Sequence, residues 1–125
     1  MADGIEFKGE IYMAYEVNLI INGKKEQFKR TEPPFLKEIT RALVLQQHQV
    51  RMYGKNDGPA DKDFDNNSKE IAKFASQFFK DQFTQEDFLN GADGENVTVI
   101  SNIIDQCLGV KNPDDIDTDK SKAKK

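Results

Sequence analysis

Cysteine and histidine are almost missing from this sequence: among 125 residues there is one of each, Cys107 and His48. A single thiol excludes an internal disulfide and leaves no cluster for a structural zinc. One imidazole cannot be joined by a second in a metal site, and no nucleophile motif stands near it for a Ser-His-Asp triad. Long apolar runs are missing too. The longest, such as Leu19 to Ile21 and Leu43 to Leu45, fall far below the roughly 20 residues that a membrane-spanning helix needs. No basic-then-apolar leader precedes them, so no membrane partner is expected and a cytosolic location is. An excess of positive charge is also absent. Lys plus Arg is 18 against 22 for Asp plus Glu, a net charge of -4, which argues against a nucleic-acid partner held by phosphate neutralisation. Finally, Gly91-Ala92-Asp93-Gly94 has neither the lysine of a phosphate-binding loop nor the strand that precedes a dinucleotide-binding turn.

What remains is a lean composition with many aromatics. Hydrophobic residues make up 37% and the mean hydropathy is -0.73, yet there are nine Phe and three Tyr, too many for a disordered chain. The pattern predicts an α+β fold: an N-terminal β-hairpin of two or three antiparallel strands, then a bundle of three to four helices. Residues 1–110 form one domain on this reading, and the charged stretch 111–125 is a disordered tail.

Odd positions from Met13 to Ile21 are apolar, the period of a half-buried strand. Asn22-Gly23 then supplies the positive backbone angles of a type I′ turn, which sets Ile21 opposite Lys24, Val17 opposite Phe28 and Glu16 opposite Lys29. Ile5 to Lys8 is a candidate third strand. Pro33-Pro34 ends the returning strand and precedes a helix, Phe35 to Tyr53, with Phe35, Leu36, Ile39, Leu43, Val50 and Tyr53 as its expected core stripe. Gly54 to Asn67 reads as an exposed loop. A second helix, Ser68 to Phe83, turns Ile71, Phe74, Ala75 and Phe78 inward, with Phe79 and Phe83 widening that stripe. Thr84 is an N-cap, with Asp87 as capping-box partner, for a short helix Gln85 to Asn90 closed by Gly91. The last helix, Glu95 to Leu108, carries Val97, Ile100, Ile103, Ile104 and Cys107 and stops at Gly109.

Chemistry-bearing residues do not assemble into a site. Asp61, Asp63, Asp65 and Glu70 suggest a calcium loop, but Asn66 stands where that loop needs glycine and Ala72 where it needs a bidentate glutamate. Asp115, Asp117 and Asp119 repeat the pattern without room for a twelfth position. His48 reads as a surface residue of the first long helix, and Cys107 as a small buried hydrophobe. No catalytic, metal-binding or cofactor-binding residue is assigned, and no enzyme is expected.

Six of the nine Phe lie between Phe64 and Phe88, and three helices carry more apolar side chains than one stripe can use. Either a two-layer core absorbs them all, or a surplus face serves self-association or client binding. The candidate face is Leu45, Met52, Phe79, Phe83 and Phe88.

The stretch from Phe74 to Gly91, with Gln82-Phe83-Thr84, an acidic pair at Glu86-Asp87, a short helix and a closing glycine, resembles tail assembly chaperones of long-tailed bacteriophages of Gram-positive hosts. The Thr31 to Pro34 entry, the single long helix and the Asp-rich loop extend the resemblance over Tyr12 to Val110. The resemblance implies a mostly helical protein that binds the tape measure protein and keeps it soluble until the tail tube polymerises around it. It further implies self-association, a location in the host cytoplasm, absence from the finished virion, and a longer frameshifted form of the chain as a further partner. The lysines from Lys120 to Lys125 are compatible with a slippery codon stretch, and equally with plain solubilisation. The competing readings are a tail-completion or ring-forming virion protein, built by edge-strand addition at the hairpin, and a general helix-binding adaptor module.

Overall fold

A computed structural model of the chain describes residues 14–109. The candidate third strand at 5–8, the start of the first expected strand at 11–13 and the tail at 111–125 lie outside the described residues. Within them the α+β expectation holds: a hairpin followed by four helices. Strand β1 (Tyr15–Ile21) pairs antiparallel with β2 (Lys24–Arg30). Asn22 and Gly23 have φ of 54° and 80°, the left-handed values a two-residue I′ loop requires, and all three expected cross-strand pairs are present. Val17 and Leu19 are buried against the helices, with Phe28 half-buried beside them.

Helix α1 (Leu36–Tyr53) starts after the two prolines, where the Glu38 carboxylate accepts from the Phe35 N–H at 2.7 Å. Helix α2 (Asp61–Phe78) begins inside the stretch expected to be loop. Asp63 explains the earlier start: its carboxylate accepts from the Ala60 N–H at 2.8 Å and from Lys55 Nζ. With Asp61 it also places negative charge at the helix's positive end. Lys55 and the Ala60 N–H, in that order, hold the Asp63 carboxyl below its ordinary range. The acidic run is thus a helix start, and no group of metal-ligating side chains occurs among the described residues.

Helix α2 also ends earlier than its periodicity suggests. Lys80 and Asp81 take φ of 60° and 62°, a left-handed pair that non-glycine residues adopt only when their surroundings impose it. Here Asp81 N–H donates to the Ser76 carbonyl, and the Ser76 hydroxyl donates to the Phe83 carbonyl at 2.7 Å. The reversal carries Phe79 and Phe83 off the cylinder and into the core. Phe83 packs on Phe28, Phe79 and Phe88, and Phe78 on Tyr15, Phe74 and Phe79, with ring centroids 4.9–6.1 Å apart.

The capping box at Thr84 and Asp87 opens α3 (Gln85–Gly91) as expected. Gly91 serves close approach rather than helix termination: a Cβ there would stand 2.4 Å from the Ile20 carbonyl oxygen. Helix α4 (Gly94–Cys107) is capped by Asp93, and Asn96 accepts from the Asn18 N–H at 2.8 Å, covering the outer edge of β1. Gly109, at φ 83°, follows its end as predicted.

Arg30 ties these parts together. Its side chain is almost wholly buried, pairs with Glu38 at 3.3 Å, and lies 4.4 Å above the Phe78 ring. Its guanidinium donates to the carbonyls of Glu32, Pro33 and Phe78. Burial pushes the Glu38 carboxyl up, but the Phe35 N–H and Arg30 outweigh it and leave Glu38 below its ordinary 4.5. A depressed folded-state value contributes stability that is fully present above about pH 4.5 and is lost as pH falls. Arg30→Met, which strands a buried carboxylate, should cost about 3–5 kcal/mol in urea unfolding. Glu38→Gln should flatten the acid limb of the stability curve below about pH 4.5. An unchanged midpoint for the first, or an unchanged acid limb for the second, would contradict this role.

Candidate functional site

Helix α1 has two apolar stripes, and the folded chain buries the one with fewer large side chains. Glu38, Ala42, Leu45 and Met52 are its buried residues. Leu36, Leu43 and Val50, seven residues apart and expected to point inward, lie outside with exposures of 76%, 51% and 61%. Phe35, Val44 and Tyr53 are also exposed, and of that expected core stripe only Ile39 is packed against the core. The cause is the Arg30–Glu38 pair. A buried carboxylate needs its cation, so Glu38 fixes the roll of the helix, and the residues four, seven and fourteen positions later follow it inward.

The residues of the expected partner face are buried in the single chain. Leu45, Met52, Phe79, Phe83 and Phe88 are at most 5% exposed in the single chain. Hairpin, α3 and α4 cover the aromatic members, while Leu45 and Met52 sit on the inward side of α1. For the Phe-rich segment, two layers do absorb the apolar excess; for α1 they do not. The uncovered side chains run along α1 in heptad spacing, the repeat of a helix that packs against another helix.

Beside this stripe, residues of α1 and α2 line a groove of about 730 Å³. Leu36, Val44, Leu45 and Phe74 make its apolar lining, and Lys37, Arg41 and Lys73 stand along it. Further along the two helices, polar pairs hold them together: His48 with Glu70, and Gln49 Nε2 donating to Asn67 Oδ1 at 3.0 Å. His48 is on the surface, as expected. The Cys107 thiol is buried, and that burial, with Glu38 nearby, pushes it up to about 11. It is therefore protonated at neutral pH and not poised as a nucleophile.

The described residues thus leave an open apolar helix face beside a groove, a kind of surface that often meets another polypeptide. Comparison with known families makes the class specific. A family model described as phage tail chaperone protein matches residues 13–125, and the chain belongs to that family. A search of curated proteins finds no match, and neither does a search of solved structures.

Sequence periodicity missed the exposed stripe because it ranked the two sides of α1 by hydrophobicity alone. The available signal was Arg30, two residues after Phe28 and so on the same face of β2. Substitution separates the two sides. Leu43→Asp and Val50→Asp should change unfolding free energy by no more than about 0.5 kcal/mol. Leu45→Asp and Phe79→Asp should each cost about 4 kcal/mol or more. Thermal and urea unfolding followed by circular dichroism distinguish them, and equal losses in both pairs would contradict the assignment of the faces.

Proposed function

We propose that this phage tail chaperone binds the tape measure protein and keeps it soluble before the tail tube polymerises. The observation that carries the reading is the uncovered heptad stripe Leu36, Leu43 and Val50, flanked by Val44 and Tyr53, in a chain that belongs to the tail chaperone family. A tape measure chain is a long amphipathic helix whose apolar side aggregates when left in water. The α1 stripe offers it a second helix to pack against. Each Leu or Val transferred from water contributes roughly 1.5–3 kcal/mol when fully buried. Contacts of this kind depend on stripe and spacing rather than on exact sequence, so one small protein can occupy many sites along one client. Several copies, associating with one another on that client, gain avidity from modest single contacts. Such a protein works in the host cytoplasm and leaves before the virion is complete. It acts by covering apolar surface, with no chemical step.

Co-expression with the tape measure protein, followed by light scattering of the soluble fraction, tests the proposal. The tape measure protein alone should be insoluble, and with this chain it should be recovered in a large complex holding many copies. Leu43→Asp combined with Val50→Asp should abolish recovery, whereas Thr98→Asp on the exposed side of α4 should not. Recovery that survives loss of the stripe, or a finished virion that contains the chain in stoichiometric amount, would contradict it.

A further inference from the structure

The groove between α1 and α2 carries a charge signature that the apolar stripe lacks. Its floor is Val44, Leu45 and Phe74, and three cations stand along it: Lys37 and Arg41 one turn apart on α1, and Lys73 opposite on α2. Among the described residues none of the three has an ion-pair partner, while Glu70, the one acidic side chain lining the groove, is paired with His48. The chain as a whole has a net charge of -4, so the groove is a basic site on an acidic protein.

We infer that the groove takes a partner helix whose apolar stripe is flanked by Asp or Glu. The inference rests on the reading of the chain as a helix-binding chaperone and narrows it to one class of client segment. From Leu36 to Leu45 the α1 wall is about 14 Å long at 1.5 Å per residue, enough for two to three turns of an incoming helix. Apolar side chains of that helix meet Val44 and Phe74, and its carboxylates meet Lys37, Arg41 and Lys73. The same carboxylates are repelled by the rest of the acidic surface, which steers the helix to this place. A second copy docked with its own groove against this one would oppose two sets of cations, so self-pairing groove to groove is disfavoured.

The test uses the full chain and two synthetic helical peptides with one leucine stripe, flanked by Glu in one and by Lys in the other, followed by fluorescence anisotropy. At about 0.05 M salt the Glu peptide should bind at least about tenfold tighter, and at about 0.5 M salt the ratio should shrink towards one. Arg41→Glu with Lys73→Glu should reverse the order while the far-ultraviolet circular dichroism stays unchanged. Equal binding of the two peptides, or an order that survives the charge reversal, overturns the inference. So does a dimer of the free chain that the charge reversal dissociates, which would make a second copy the occupant. Changing Asp114, Asp115, Asp117 and Asp119 to Asn in the full chain should leave Glu-peptide affinity unchanged; a tenfold gain would assign the groove to the chain's own acidic segment instead. The functional reading fails separately: a correct peptide order with no recovery of tape measure protein sinks that reading and leaves the groove, and the converse sinks the groove alone.

Discussion

A cation buried at the end of the hairpin constrains everything else in this structure. Arg30 has to be neutralised and hydrogen-bonded because an isolated charge in a core costs several kcal/mol. Glu38 and the carbonyls of Glu32, Pro33 and Phe78 meet that need. Those partners belong to the strand-to-helix connection, the first turn of α1 and the last residue of α2. One side chain therefore ties together the end of the hairpin, the roll of α1 and the last residue of α2. The roll has the largest consequence, since turning Glu38 inward turns Leu36, Leu43 and Val50 outward.

The two apolar populations then serve different ends. The aromatic series from Phe74 to Phe88 is consumed by the fold: the left-handed pair Lys80 and Asp81 bends the chain so that consecutive Phe78 and Phe79 are both fully buried. The side chains left over on α1 include Leu36, Leu43 and Val50 at regular spacing, with the α1–α2 groove alongside. A tail chaperone of this size can thus keep a closed core and still offer apolar surface, because the two are on opposite sides of one helix.

Much of this was legible in the sequence where the physics is local. Asn22-Gly23 fixed the register of β1 and β2, Thr84 and Asp87 marked a helix start, and the α4 stripe from Val97 to Cys107 faces the core as its period requires. The failures came where distant contacts decide. Asp61 and Asp63 read as loop because their value to a helix lies in its N-terminal dipole and, for Asp63, in Lys55, not in propensity. Phe79 and Phe83 read as part of a helical stripe because nothing local announces that two non-glycine residues will turn left-handed. Met52 and Leu45 read as surplus because the buried Arg30–Glu38 pair, which settles the choice between two stripes, joins residues on different elements. Gly91 read as a helix stop, whereas its lack of a side chain lets α3 lie against the Ile20 backbone.

The proposed client site is the outer side of α1. The most direct measurement is site-specific photo-crosslinking during co-expression with the tape measure protein, with a photoreactive residue placed in turn at Leu43, Val44, Ile20 and Thr98. All four positions are exposed, and Ile20 is apolar but isolated on the hairpin. Crosslinks to the tape measure protein from positions 43 and 44 and none from 20 and 98 are the predicted result. Crosslinks from the hairpin or α4 positions with none from α1 would contradict it.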